Sequence, residues 1–530
     1  MNDLAELVAQ AAVDAPEDAA VVEADGRSLT WAQLDDAVGR VATGLGAAGV
    51  VAGHRVLLAM TNRCELVTAY FGVLRAQAVA VPVNHRASVD ELARMLADSG
   101  ARLVFADAGT VEAIRAARAL VEAAVAGGET ELDEDVVGRA ARSSLVTVGL
   151  AAGPGERSYD DLVAAEALPV PPLRDPEKLA VLLYTSGTSG RPRAAMLTHR
   201  ALLANIEQVA RIEPPLMQAG DVVLGVLPLF HVYGLNAVLG SAIRHRATLV
   251  LQERFDPVGT LDLVARHACT VLPLAPAVVT HWLPLGDLRE RLASVRLVLS
   301  GSAALSRDVV VKFAERTGLT VHQGYGLTEA APVVTSTRRS TDHDPGSVGA
   351  VLEGVELRLV DDQGHVVEGD DPGEIWVRGD NLFSGYWPDG SGGPDADGWW
   401  ATGDVGILDQ WGDLFLVDRL KELVVVSGFN VYPHEVEDVI RETDGVKEAA
   451  VIGVADDETG EAVVAYVVAP GLDRADAEDV VRRHCETRLA RFKQPSRIEV
   501  VEALPLSVTG KVQKGRLRGI ERRRALGLLE

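Results

Sequence analysis

The sequence predicts an α/β protein. A large N-terminal part should carry parallel α/β sheets and a small antiparallel β subdomain, and a small mobile α+β domain should follow. Three observations predict this. From Lys178 onward, short apolar runs alternate with helical patterns, and each run ends in a Gly-rich turn, so loops gather at strand ends. After about residue 350 the runs become short and alternating between Gly and Asp turns, as antiparallel strands require. The length of 530 residues exceeds one ordinary core and allows roughly three or four domain-sized units.

The elements follow in order. Thr30-Trp-Ala-Gln-Leu opens a helix with Thr30 as its N-cap. His54 to Ala59 and Val79 to Val83 read as buried strands. Between about Ala108 and Leu173 the pattern weakens. Gly127-Gly128-Glu129, the acidic run Glu129 to Asp135 and Gly153-Pro-Gly-Glu read there as irregular surface. Strands are expected at Leu179 to Tyr184, Val295 to Leu299 and Leu319 to Gln323. Val355 to Val360, Glu374 to Arg378 and Leu414 to Val417 form the antiparallel part. The last unit has strands at Leu423 to Val426, Ala449 to Val454, Val463 to Val468 and Arg497 to Val501. Its helices run from His434 to Glu442, with Pro433 at the start, and from Asp476 to Leu489. The tail from Pro505 is polar and basic. A boundary near Asp418 to Lys421 gives domains 1–418 and 419–530.

Composition excludes several classes. Hydrophobic residues make up 48% and charged residues 24%, an ordinary globular balance. A net charge of -25 argues against nucleic acid as a partner, and any phosphate-bearing substrate needs local donors against that field. Cys64, Cys269 and Cys485 lack CxxC spacing, so no zinc site or disulfide framework is expected, and a reducing cytoplasm fits. The segment Met1 to Ala11 carries Asp3 and Glu6 and has no basic region, unlike a signal peptide. The most apolar stretch, Val226 to Leu239, is interrupted by Pro228, His231 and Asn236, so no integral membrane segment is expected. Lysine occurs only at positions 178, 312, 421, 447, 493, 511 and 514, which makes each one more informative.

Five short stretches carry chemistry. In Thr185-Ser-Gly-Thr-Ser-Gly-Arg-Pro-Arg193, glycines free backbone N–H groups to face an anion, while hydroxyls and arginines add donors. It is not a Walker A loop, and read alone it is equally a surface loop. In Gly324-Tyr-Gly-Leu-Thr-Glu329, Tyr325 offers a face for a base, Thr328 a hydroxyl for phosphate and Glu329 a hard oxygen for Mg²⁺, or the whole is just a turn. Asp404, after Thr402-Gly403, either accepts from ribose hydroxyls or caps a turn. Asp418-Arg-Leu-Lys421 follows a strand, and Thr509-Gly-Lys511 sits on the flexible tail.

Taken in this order, the stretches resemble the ANL superfamily of adenylating enzymes: acyl-CoA synthetases, peptide-synthetase adenylation domains and luciferases. The resemblance also rests on Pro228-Leu-Phe-His-Val-Tyr-Gly, Gly373-Glu-Ile-Trp-Val-Arg-Gly, Trp400-Ala-Thr-Gly-Asp and Ser427-Gly-Phe-Asn-Val-Tyr-Pro, and it spans essentially the whole chain. It implies two half-reactions that use ATP, Mg²⁺ and CoA. A carboxylate displaces pyrophosphate to form acyl-AMP, then the small domain turns and CoA takes the acyl group. It implies a phosphate loop of Thr185, Ser186, Gly187, Thr188, Ser189, Gly190 and Arg193. It implies an adenine site of Gly301, Ser302, Ala303, Gly324, Tyr325 and Gly326, and a ribose pair of Asp404 and Arg419. Thr328 and Glu329 would serve the α-phosphate and the metal, and Lys511 would be the catalytic lysine. Lys421 stands at the hinge, and Ser427, Gly428 and Phe429 stand in the CoA loop.

The chain departs from the usual P-K-G of the phosphate loop with Pro192-Arg193-Ala194. Arg193 keeps a cation, and Ala194 gives up glycine's conformational freedom.

The acyl wall is read as His231, Val232, Tyr233, Asn236 and Val333. His231, following Pro-Leu-Phe as in acyl- and aryl-CoA synthetases, is also expected to take part in catalysis. The mostly apolar wall, with no Asp between Pro228 and Gly240, favours a medium- or long-chain fatty acid over an amino acid. Alternatives are an aryl acid, a fatty acyl-AMP ligase loading a carrier protein, and a non-catalytic adenylate binder. A homodimer is a further expectation.

Overall fold

The computed structural model describes residues 2–127, 134–185, 193–303, 305–341, 344–361, 363–367, 371–419, 422–426, 429–456, 460–507 and 510–525. The chain divides into two compact units. Met1–Ser186, Pro192–Glu356 and Arg378–Gly398 belong to the first, and Leu357–Val377 and Trp399–Glu530 to the second.

The first unit is built on two seven-stranded sheets. One runs Arg157–Ser158, Ser144–Val148, Leu103–Asp107, Arg55–Ala59, Val79–Pro82, Leu179–Thr185 and Arg193–Thr198. All neighbours are parallel except the last pair, which forms an antiparallel hairpin. The other runs Val321–Gln323, Leu297–Ser300, Val271–Leu274, Val222–Gly225, Thr248–Leu251, Ala19–Glu23 and Ser28–Thr30. Its central strands read as unbroken apolar runs because helices cover both faces, so alternation would leave polar groups in a core. Leu57, Val81, Val104 and Leu182 centre one core, and Leu224, Val250, Leu272 and Val298 the other.

Local signals set the helices. Trp31–Ala47 starts at a capping box in which Thr30 and Gln33 satisfy each other's backbone N–H. Val89–Ser99 starts at the same device, Ser88 with Glu91, and stops at Gly100, which takes the left-handed conformation.

The stretch after Ala108 is more regular than its pattern suggests. Val111–Gly127 and Glu134–Ala141 are helices, and Ser144–Val148 joins the sheet. Val111, Ile114, Ala117 and Val121 form the buried stripe of the first helix. Alanine there favours the helix while giving little hydrophobic contrast, so the periodicity reads faintly.

The second unit holds antiparallel strands Trp400–Leu408 and Asp413–Arg419 and the part of Gly373–Gly379 up to Val377. It also holds a five-stranded sheet of Phe429–Val431, Val424–Val426, Gly460–Val468 and Glu448–Asp456, with Arg497–Val500 beside Gly460–Val468. Helices Pro433–Arg441 and Arg474–Arg488 cover one face of that sheet through Val436, Ile440, Ala477 and Val481. The polar tail also departs from expectation, because Lys514–Ala525 is a helix. Leu517 and Ile520 seat it against Tyr466 and Val468 on the opposite face. Two apolar residues in an Arg-rich run suffice because Tyr466 and Arg497 both reach Glu521 from the sheet. No helix among the described residues is long and apolar enough to cross a membrane.

Candidate active site

The hairpin Leu179–Thr185 and Arg193–Thr198 pairs Tyr184 with Ala194 and Thr185 with Arg193. The Thr185 hydroxyl donates to the Arg193 carbonyl at 3.3 Å. Ser186, Gly187, Thr188, Ser189 and Gly190 lie outside the described residues. Ala194 is a buried residue of a regular strand, without a left-handed backbone, and its carbonyl accepts from the Trp387 amide at 2.9 Å. Glycine's freedom is therefore not required at this position.

The second element is the turn after strand Val321–Gln323. It pairs back on residues 332–335: Leu327 N–H donates to Pro332 at 3.0 Å and Val334 N–H to Tyr325 at 2.9 Å. The close return explains Gly326, where a Cβ would stand 2.4 Å from the Pro332 carbonyl oxygen. Tyr325 is buried, and Thr328 is half-buried at the start of the 3₁₀ turn Thr328–Ala330.

Three buried asparagines hold the backbone that follows Glu329. Asn381 donates to the Ala330 carbonyl at 2.8 Å, and Asn236 to that of Ala331 at 2.6 Å. Asn205 closes both backbone groups of Val333, accepting at 3.0 Å and donating at 2.8 Å. Each comes from a different element, so the turn is braced from three sides. Asn236 also donates to Leu202, so its amide acts on backbone.

Glu329 itself is 9% exposed. The Tyr386 hydroxyl donates to its Oε1 at 2.6 Å, and the Phe383 amide donates to its carbonyl at 2.9 Å. The Arg193 guanidinium lies over the Tyr386 ring, 3.7 Å from its centroid. Burial, then the Glu329 charge, pushes the Tyr386 phenol well above its ordinary range, so it stays a hydrogen-bond donor.

The third group gathers at the ends of strands Val271–Leu274 and Leu297–Ser300. Gly301 is buried and Ser302 adopts a left-handed backbone. Ala303 is exposed. The Tyr233 ring packs on Gly301 so closely that a Cβ there would stand 3.0 Å from it. The Ser300 hydroxyl is buried without a hydrogen-bond partner among the described residues. Tyr233 opens a π-helix, Tyr233–Gly240, a device often found at functional sites. His231 is half-buried in the turn before it, Val232 is buried and Val333 half-buried.

In the second unit, Asp404 and Arg419 are register partners on adjacent antiparallel strands. Lys421, Ser427 and Gly428 lie outside the described residues, and Phe429 begins the strand Phe429–Val431. Lys511 is not on a loose tail. Ser507 N–H donates to the Lys511 carbonyl at 2.7 Å, and the Lys511 amide donates to Ser507 Oγ at 3.1 Å. Three residues on, Lys514 is clamped by Glu437 at 2.8 Å and Glu422 at 3.2 Å.

No cluster of three or more His, Cys, Asp or Glu side chains able to hold a metal occurs among the described residues. Mg²⁺ does not need such a cluster, because it takes one or two carboxylates and completes its shell with phosphate and water. Glu329, a buried carboxylate aimed by a neutral hydroxyl, is a suitable ligand. The Ser300 hydroxyl and the close-packed glycines fit a nucleotide in the same way. The three cysteines are buried, and burial pushes their thiols up, Cys269 to about 12 and Cys485 to about 11, which disfavours the thiolate.

Tyr386, Asn205 and Asn381 were missed in the sequence, and Asn236 was read as acyl wall, whereas its amide donates to the Leu202 and Ala331 carbonyls. Gly385-Tyr386-Trp387, an aromatic pair entering a Gly-rich turn, was the available signal for the first.

Residues 8–387 match the AMP-binding enzyme family, and residues 435–511 match the AMP-binding enzyme C-terminal domain. The chain is 34% identical over 507 residues to 4-coumarate–CoA ligase 5 of Oryza sativa subsp. japonica, covering 93% of this chain and 90% of that protein. It is 31% identical over 506 residues to a long-chain-fatty-acid–CoA ligase of Bacillus subtilis (strain 168), with the same coverage of 93% and 90%. The solved structure of ATP-bound MatB from Rhodopseudomonas palustris matches with a TM-score of 0.86 at 32% identity, covering 98% of this chain and 99% of that one. The chain belongs to the AMP-binding enzyme family and is an adenylate-forming CoA ligase of the ANL superfamily.

Proposed function

We propose that the protein activates an apolar carboxylic acid, of the medium- or long-chain fatty class, and passes the acyl group to CoA. The observation that supports this reading is the meeting of Arg193, read as the polyphosphate cation, and Glu329, read as the metal carboxylate, on one side chain, Tyr386. A carboxylate is a poor electrophile because oxide is a poor leaving group. Its oxygen attacks the α-phosphorus of ATP, pyrophosphate leaves, and the mixed anhydride then has AMP as a good leaving group. The CoA sulfur attacks the acyl carbon and AMP departs.

The residues contribute position and charge. Thr185 and Arg193, with the loop between them, hold the β- and γ-phosphates and the departing pyrophosphate. Thr328 donates to the α-phosphate, and Tyr325 and residues 301–303 border the adenine. Asp404 and Arg419 hold the ribose. Lys511 neutralises charge between the α-phosphate and the carboxylate. Mg²⁺ on Glu329 would screen the phosphate charge. Residues 419–530 act as the mobile domain, turning at Lys421 to present Ser427, Gly428 and Phe429 to CoA.

The apolar Val232 and Val333 support the fatty acid. A second reading, a planar aryl acid, is favoured by the Tyr233 ring lying on Gly301, a flat surface without a side chain between. Pyrophosphate release from ATP, measured over fatty and aryl acids with and without CoA, tests both. Fatty acids should give CoA-dependent AMP formation. Turnover of aryl acids alone would move the assignment to the second class. Acyl-AMP accumulating in the presence of CoA would overturn transfer to CoA.

A further inference from the structure

Residues 381–387 form a strap between the two parts of the nucleotide site. On one side, Asn381 holds the Ala330 carbonyl, and the Phe383 amide and the Tyr386 hydroxyl both hold Glu329. On the other side, the Ser384 amide donates to Met196 at 2.9 Å, Gly385 accepts from Met196 at 3.0 Å, and the Trp387 amide donates to Ala194. Tyr386 is the member of the strap whose side chain reaches both. Its ring stands edge-on to buried Phe383, centroids 5.0 Å apart, which fixes its direction.

We propose that Tyr386 is a positioning residue for adenylation. Its hydroxyl fixes the Glu329 carboxylate for the metal, and its ring carries the Arg193 guanidinium toward the polyphosphate. The inference rests on the reading of Glu329 as the Mg²⁺ ligand. With Oε1 engaged by the phenol at 2.6 Å, the carboxylate cannot swing, and its other oxygen keeps one direction. A hydrogen bond that orients a ligating side chain typically governs metal affinity by 10- to 100-fold. The same bond draws electron density into the ring, which favours a cation on its face. The stack also explains why arginine serves beside this tyrosine: a planar guanidinium lies flat at 3.7 Å, and a compact ammonium does not.

The test measures Mn²⁺ binding to the full chain in the presence of a non-hydrolysable ATP analogue, with the thermal midpoint recorded alongside. Tyr386→Phe keeps the ring and removes the hydroxyl. It should weaken Mn²⁺ binding about tenfold with an unchanged midpoint. Arg193→Lys keeps the charge and loses the stack. It should raise the ATP concentration for half-maximal pyrophosphate release about threefold, the size of a partly exposed cation–π contact. Glu329→Gln separates the two levels. If it leaves Mn²⁺ binding intact, the metal reading of Glu329 falls. If it weakens Mn²⁺ binding while Tyr386→Phe does not, the metal reading stands and the positioning by Tyr386 is overturned. A midpoint that drops in Tyr386→Phe together with Mn²⁺ binding would likewise overturn it, because the residue would then be structural.

Discussion

Glu329 and Glu437 are both buried carboxylates, 9% and 5% exposed, one in each unit. Glu437 is answered from within. Lys514 reaches its Oε1 at 2.8 Å, the Val451 amide donates to the same oxygen at 2.8 Å, and Arg441 reaches Oε2 at 3.2 Å. Glu329 is held by a neutral phenol, which orients the carboxylate without cancelling its charge. The difference teaches how to tell a clamp from a ligand. A buried carboxylate closed by two cations fastens secondary structure, here the helix Pro433–Arg441 to the helix that begins at Lys514. One aimed by a hydroxyl is oriented without a second charge to oppose its own.

The comparison breaks most visibly at Lys514. Lys514→Ala leaves Glu437 short of its nearest cation and should cost about 3–5 kcal/mol in denaturant unfolding, as breaking a buried pair does. Pairing that change with Glu437→Gln should recover much of the loss. A loss under 1 kcal/mol in the single variant would reduce the clamp to an incidental contact.

A titrating pair sharpens the contrast. Burial lowers His199 to about 4 and raises Asp3 to about 6. His199 Nδ1 accepts from the Leu4 amide at 3.1 Å, as a neutral ring must. The His199 contribution to stability is full above its ordinary 6.5 and is lost as pH falls through 6.5 to about 4. Asp3 runs the other way: its contribution is full below 3.8 and is lost as pH rises to about 6. His199→Ala should therefore be most destabilised relative to the parent above pH 6.5. The gap should narrow by roughly 3 kcal/mol as pH falls to 4. A gap independent of pH, followed by thermal melts across that range, would mean that His199 titrates normally.

The smallest effect is expected at Glu329. Glu329→Gln keeps a group that the Tyr386 hydroxyl can donate to and removes a buried charge, so stability should change by less than about 1 kcal/mol either way. A loss as large as that of Lys514→Ala would place Glu329 with the clamps.

The parts legible in the sequence are those set by neighbours. Thr30 as a cap and the turn at Gly324 to Glu329 were read because each works over a few residues; Ser88 with Glu91 is a signal of the same range that was not read. Of the parallel strands, Arg55–Ala59, Val79–Pro82, Leu179–Thr185, Leu297–Ser300 and Val321–Gln323 were read as apolar runs, whereas Leu103–Asp107, Val222–Gly225, Thr248–Leu251 and Val271–Leu274 were not. The helix Val111–Gly127 was faint because alanine makes its stripe, and the helix Lys514–Ala525 because two apolar residues anchor it. Tyr386 stands 57 positions after the carboxylate it holds, and Asn205 sits 128 positions before the Val333 backbone it closes. Those partners are chosen by the tertiary path of the strap and of the helix His199–Ala210, which no local pattern encodes. The Gly-rich stretch after Tyr184 and the Glu329 turn could be located from sequence. The bracing that makes the turn rigid could not.

The strap also sets how the molecule breathes. Its amides at Phe383, Ser384 and Trp387 donate to carbonyls of two different elements, the Glu329 turn and the strand Arg193–Thr198. Lifting the strap exposes all three at once and frees both elements in the same event. Their deuterium uptake should follow one opening free energy rather than three, and a bound nucleotide that holds either element should slow the whole set.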